Sequence, residues 1–144
     1  MTRLLDVNLL IALAWPSHVH HEAAHRWFAD VGIFATCTVT QLGFVRVSSN
    51  RAVLADAVSV QAARAVLAGI VAMPQHELWT DDLDFSRDPT VDGLTLVGHR
   101  QVTDAFLLAL AARHGGRLAT LDGGIAALAP TNAAILSLLE RVSA

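Results

Sequence analysis

The sequence predicts an α/β fold around a central, mainly parallel sheet, and three observations carry that expectation. Stretch 98–124 reads as a helix, a glycine stop, a short apolar strand and an aspartate at the strand's end. Arg3-Leu4-Leu5-Asp6-Val7 repeats the strand-then-aspartate pattern at the start of the chain, apolar enough for a strand buried on both faces. Between them, short apolar runs alternate with helical periodicities, as strand–helix–strand units do.

In order, Asn8 to Leu13 begins a helix after the first strand, and Pro16-Ser17 breaks it. His18 to Asp30 is an amphipathic helix with Ala23, Ala24, Trp27 and Phe28 on its apolar side. Ile33-Phe34-Ala35-Thr36 is a second strand, followed by a helix from Thr38 to Asn50. Val53 to Asp56 crosses to the helix Val60–Val71, whose Ala63, Val66, Leu67 and Ile70 face inward. Glu77-Leu78-Trp79 is a short strand after Pro74, and Thr80 to Pro89 is a long acidic connection. Trp79 and Phe85 call for burial there, against a partner subunit if not within the chain. Thr103 caps the next helix, with Phe106, Leu107, Leu110 and Ala111 along one face, and Gly115-Gly116 ends it. Leu118 to Leu121 is a buried strand, Asp122-Gly123-Gly124 its exit turn, and Ile125 to Leu128 one apolar turn. Ala134 to Leu138 is a last strand or a short helix.

With 144 residues and 53% of them hydrophobic, the chain is expected to be one domain, residues 1–144, with a substantial core. The formal net charge is −3, with ten arginines and no lysine, so contact with nucleic acid must be local and arginine-based. The single cysteine, Cys37, excludes an intrachain disulfide and reads as a buried apolar thiol. The apolar run Leu9–Trp15 is far too short to span a membrane and lacks the flanks of a signal peptide, so the protein is expected in the cytoplasm. No glycine-rich phosphate loop, HExxH or serine elbow is present, which disfavours a nucleotide triphosphatase, a zincin and an α/β-hydrolase.

Chemistry is carried by aspartates. Asp6 and Asp122 end strands and Asp104 sits in a first helical turn, where open parallel sheets place their sites. Brought together, such carboxylates repel one another unless a hard cation such as Mg²⁺ or Mn²⁺ compensates them. A cation held there could activate water and neutralise a phosphate under attack. His18, His20, His21 and His25 form a cluster, but no further ligand completes a tetrahedral zinc site, and a solvated or RNA-facing cluster is the preferred reading.

Leu5-Asp6-Val7-Asn8, Thr40-Gln41-Leu42-Gly43-Phe44-Val45-Arg46, Val97 to Ala105 and Ala119-Thr120-Leu121-Asp122 occur in this order over nearly the whole chain. In these motifs the chain resembles the PIN-domain ribonucleases, and among them the VapC toxins of toxin–antitoxin pairs. The resemblance implies a three-layer α/β sandwich with a central parallel sheet and an acidic site holding Mg²⁺ or Mn²⁺. It implies an endoribonuclease cutting structured cellular RNA, tRNA or rRNA, to leave a 5′-phosphate and a 3′-hydroxyl. A homodimer silenced by a VapB-like antitoxin is implied as well. Asp6, Asp104 and Asp122 match the family's carboxylates, while Gln41 stands where a glutamate is common. A glutamine can coordinate through its carbonyl but adds no charge and no base. Asn8 and Thr120 are expected to support the ligands or their waters, and one of Asp81, Asp82 or Asp84 could supply a fourth carboxylate. Arg46, Arg51 and Arg100 are candidate phosphate contacts, Arg100 competing with a simple pairing to Asp104 four residues on. The alternatives are a DNA-directed nuclease and a catalytically weak or inert binding protein, the latter suggested by Gln41.

Overall fold

The computed structural model describes residues 1–143. Five strands run β1 (Arg3–Leu5), β2 (Phe34–Cys37), β3 (His76–Trp79), β4 (Arg117–Thr120) and β5 (Leu139–Arg141). They form one sheet in the order β3-β2-β1-β4-β5, and every pairing is parallel. The helices are α1 (Val7–Ala14), α2 (His21–Phe28), α3 (Thr38–Ser48), α4 (Val60–Val71), α5 (Pro89–Asp92), α6 (Val102–Arg113) and α7 (Ala133–Leu136). Among the described residues no helix is long and apolar enough to cross a membrane.

Alternation along the central strands separates two cores. Leu4, Ala35 and Leu118 face one side with Leu107, Leu108 and Leu110 of α6. Leu5, Phe34 and Ala119 face the other, with Leu9 and Leu10 of α1, Phe44 of α3 and Leu67 of α4. Both faces are covered, so the strands read as continuous apolar runs, and the result is the expected α/β sandwich in three layers. The strand order reverses between β1 and β4, which opens the crevice where doubly wound sheets bind ligands.

The helix preceding β4 ends as the glycine pair suggested. Gly115 takes a left-handed φ of 65°, its N–H bonds to Ala112 O, and the Gly116 N–H reaches back to Ala111 O at 2.9 Å. This double closure satisfies the last carbonyls and turns the chain into the sheet. Cys37 is buried as expected, at the cap of α3, where the Thr40 hydroxyl meets its backbone and its sulfur.

Several local expectations change. The first strand stops at Leu5 because Asp6 caps α1. α2 begins at His21, three residues late, since His18 to His20 form a turn. Thr103 does not cap α6: a 3₁₀ turn over His99–Gln101 leads into the helix, with Gln101 at the cap. The helix is not one-faced either, because Leu107 to Ala111 are all buried between the sheet and the C-terminal segment. The acidic connection ends in α5, started by the Asp88 carboxylate accepting from Thr90 N and Val91 N. Ala134 to Leu138 is divided: α7 takes its first part, and the fifth strand β5 follows it. Trp79 needs no partner subunit, being 4% exposed and stacked on His114 with ring centroids 4.5 Å apart.

Gly116 is the tightest point of this frame. A Cβ there would lie 2.5 Å from Thr2 O and 2.6 Å from the Trp79 ring, whereas one on Gly115 would meet nothing. Gly116→Ala is expected to cost about 1–3 kcal/mol through overpacking, and Gly115→Ala about 1 kcal/mol through its left-handed backbone. Urea denaturation of both variants checks the order.

Candidate active site

The site is assembled at the carboxyl ends of β1 and β4. The Asp6 N–H donates to Ala119 O at 2.9 Å, which fixes the exit of β1 against β4. The Asp6 side chain, 7% exposed, accepts from Val7 N at 2.8 Å on Oδ1 and from the Thr120 hydroxyl at 2.7 Å on Oδ2. Asp6 is thus a helix cap and a site residue at once.

Thr120 Oγ1 is the hub. While donating to Asp6 it accepts from Asn8 Nδ2 at 3.3 Å and from Asp122 N at 3.0 Å. Asn8 Oδ1 in turn accepts from Leu121 N at 3.2 Å. Asp122 caps the 3₁₀ turn Gly123–Leu128 by accepting from Gly124 N at 2.7 Å. Asp104 enters from the first turn of α6 and is half-buried. Asp6, Asp104, Asp122 and Asn8 together line one cavity of about 470 Å³, walled further by Ile11, Val47, Val53 and Leu54.

Electrostatics follow from this gathering. Burial, then the charges of Asp6 and Asp122, push the Asp104 carboxyl up to about 6. Burial also raises Asp6, opposed by the hydrogen bonds from Thr120 and Val7 and reinforced by Asp122. Among the described residues, no group of three or more His, Cys, Asp and Glu side chains is disposed to hold a metal ion. The donor set is nevertheless the kind Mg²⁺ accepts, since that ion takes one or two carboxylates and keeps several waters.

Not every candidate joins this group. Gln41 is half-buried and does not wall the cavity. Its Nε2 donates to Thr36 Oγ1 at 3.1 Å, and that hydroxyl also meets His76 Nε2 at 2.7 Å. The acidic connection stays outside too: Asp82 pairs with Arg113 at 3.0 Å, and Asp84 holds Ser86 within its own turn. Arg46 and Arg51 are exposed beside the wall residues Val47 and Val53. Arg100 is exposed in the turn leading to α6, and no ion pair joins it to Asp104 among the described residues. His21 Nδ1 and His25 Nε2 lie 2.7 and 2.9 Å from the carbonyls of Ala12 and Leu13. Those two imidazoles close the C-terminal end of α1.

One residue escaped the sequence reading. Arg141 of β5 borders a second cavity with Thr120 and Asp122, and a Cβ on Gly123 would come within 2.7 Å of its guanidinium carbon. The only signal for it was the pair Gly123-Gly124, which leaves room for a side chain to lie over the turn.

A family model described as PIN domain matches residues 3–129. Ribonuclease VapC39 of Mycobacterium tuberculosis is 47% identical over 128 residues, covering 88% of this chain and 92% of that protein. The crystal structure of M. tuberculosis VapC20, described as a sarcin–ricin loop cleaving toxin, superposes with a TM-score of 0.61 at 17% identity, over 87% of this chain and 93% of that one. The VapBC2 structure from Rickettsia felis, bound to a promoter DNA fragment, gives a TM-score of 0.63 at 11% identity, over 99% of this chain and 100% of that one. At such identities the two structures speak for the fold.

Crowded carboxylates leave a mark on stability. Because the Asp104 proton affinity is raised on folding, its ionisation opposes the folded state. The penalty is absent below the ordinary carboxylate range and grows until pH passes about 6. In chelator at pH 8, Asp104→Asn is expected to be more stable than wild type by roughly 1–2 kcal/mol, after allowance for screening. The gain should vanish near pH 4. Thermal melts across pH check both the sign and the window.

Proposed function

The chain belongs to the PIN-domain family and, within it, to the VapC ribonucleases, and on that footing we propose that it is a divalent-metal-dependent endoribonuclease toxin of the cytoplasm. The observation that carries the reading is the convergence of Asp6, Asp104 and Asp122 on one cavity, close enough for Asp6 and Asp122 both to disturb Asp104. A structural role would not bring three like charges to a sheet's switch point without compensation.

In this reading Asp6 and Asp104 would hold Mg²⁺ or Mn²⁺ directly, and Asp122 directly or through water. When bound, the ion lowers the pKa of water and offsets charge growing on the phosphate. The remaining work falls to the chain. Thr120 aims the Asp6 carboxylate and its hydrogen bond offsets part of the cost of burying that charge, and Asn8 orients Thr120. Arg46, Arg51, Arg100 and Arg141 provide guanidinium forks for backbone phosphates around the cavity. Water adds to phosphorus and the bond to O3′ breaks, leaving a 5′-phosphate and, once the leaving oxygen takes a proton, a 3′-hydroxyl. Gln41, whose amide N–H is turned to Thr36, does not line the cavity and is given no step in this reading.

The substrate class in this proposal is structured RNA, tRNA or rRNA. VapC20 is described as cleaving the sarcin–ricin loop, which makes rRNA loops the first substrates to try. A VapB-like antitoxin is the proposed silencer, as VapBC2 is a toxin–antitoxin pair. A homodimer belongs to the same reading, supported by apolar side chains left in water, Leu78 at 60% and Val97 at 82% exposure.

Total cellular RNA incubated with antitoxin-free protein, followed by end mapping, tests this. Discrete cuts are expected with Mg²⁺ or Mn²⁺, none with chelator and none with Asp6→Ala or Asp104→Ala. Thr120→Val should cut about 10–100-fold more slowly, as loss of a ligand's supporting hydrogen bond does. No cuts with either ion would leave an inert binding protein, the direction in which Gln41 points. Cuts in DNA alone would make it a deoxyribonuclease.

A further inference from the structure

Another cavity, about 490 Å³, adjoins the one that holds the three aspartates and is bounded by the turn after α1 and the loop before α4. His18, Val53 and Leu54 line both cavities, so the two adjoin. The nuclease reading gives this second space no task.

Its wall has the makings of a base-reading site. Trp15 lies along it, and the indole is fixed by stacking on Phe44 at 7° between planes and by donating from Nε1 to Ser48 Oγ at 3.0 Å. A ring held in place adds contact area without further loss of freedom on binding. His18 Nδ1 accepts the His20 N–H at 3.0 Å, so the neutral imidazole carries its proton on Nε2 and is a donor there. Burial and the nearby His20 and His21 lower the His18 proton affinity, which favours that neutral form. Asp56, exposed to solvent, supplies an acceptor on the same wall and has no ion-pair partner among the described residues. No arginine lines the space, and an anion would meet Asp56 and the adjoining aspartates. The lining therefore rejects phosphate and suits an uncharged ring bearing N–H donors.

We propose that this cavity is a nucleobase site selective for guanine in an RNA strand whose backbone crosses the carboxylate site. Guanine alone among the four bases offers a carboxylate two parallel donors, N1–H and N2–H, with the O6 acceptor beside them for an imidazole N–H. Adenine and cytosine present one amino group, and uracil one ring N–H. RNA bases splayed from a loop are commonly read in this way, stacked on an aromatic ring and bonded along one edge. Val53 and Leu54 close the apolar side and join the base site to the cleavage site.

That the base belongs to RNA rests on the nuclease reading, while recognition of guanine does not. The experiment separates the two by titrating the full chain, in chelator, with guanosine, adenosine, cytidine and uridine. The Trp15 indole and His18 ring resonances are followed by NMR. Guanosine should shift both with an affinity at least about tenfold above the other three, the discrimination of one bidentate pair. Asp56→Asn should abolish that preference, and Asp56→Glu should retain part of it. Equal affinity for all four nucleosides, or a guanosine preference unchanged in Asp56→Asn, would overturn the proposal. So would N-acetylargininamide shifting the same resonances as strongly as guanosine, the behaviour of a site for a basic peptide. Selective guanosine binding by a protein that cuts no RNA would uphold the base site and remove only the nuclease reading.

Discussion

The Thr120 hydroxyl bridges two strand ends, donating to Asp6 at 2.7 Å while accepting from Asp122 N at 3.0 Å. The geometry of the site depends on that oxygen, which is almost wholly buried. It can stand there only because β1 and β4 are adjacent and parallel, in register from Arg3 with Arg117 to Leu5 with Ala119. That adjacency, in turn, is the strand-order reversal, and it requires both faces of the sheet to be covered. A fold-wide constraint thereby becomes a local one: a sequence that buries Leu4 and Leu5 on opposite faces also delivers Asp6 to the crevice.

The same arrangement holds an electrostatic tension. Three aspartates converge where the sheet excludes much of the solvent, and Asp104 responds by holding its proton up to about pH 6. Glu140, by contrast, is relieved by Arg3 at 3.2 Å and by the Trp27 indole at 2.7 Å. At the crevice the relief is incomplete, which is the condition a divalent cation satisfies. No arginine lines this cavity, so no guanidinium neutralises its carboxylates.

Much of this was legible in the residues, for identifiable reasons. Strand-then-aspartate at Leu5-Asp6 and at Leu121-Asp122 announces a parallel sheet with a site at its carboxyl ends, and Asp104 follows from its place in a helix's first turn. Asn8 and Thr120 could be expected beside the carboxylates because each is a short polar residue two positions from one of them, and both bond into the Asp6 network. β5 escaped because Leu139-Glu140-Arg141 is three residues long and half polar, with no periodicity to betray it. Arg141 escaped with it. Thr103 was misread as a cap because the 3₁₀ turn at His99–Gln101 shifts the helix start, and tertiary burial overrode the one-faced pattern of α6. The orientation of Gln41 is set by Thr36, five residues earlier in β2, whose hydroxyl also meets His76 of β3, and spacing within its own helix holds no record of either.

Whether these carboxylates act together on a cation is asked most directly by calorimetric titration of Mn²⁺ into the purified protein at pH 6, where the Asp104 carboxyl is about half protonated. The account predicts a saturable site at one ion per chain. Protons should be released as Asp104 ionises, seen as a heat that changes with the buffer's own protonation enthalpy. Asp104→Asn should lose both the affinity and the proton release. Equal affinity in wild type and Asp104→Asn, with no proton released by either, would contradict it.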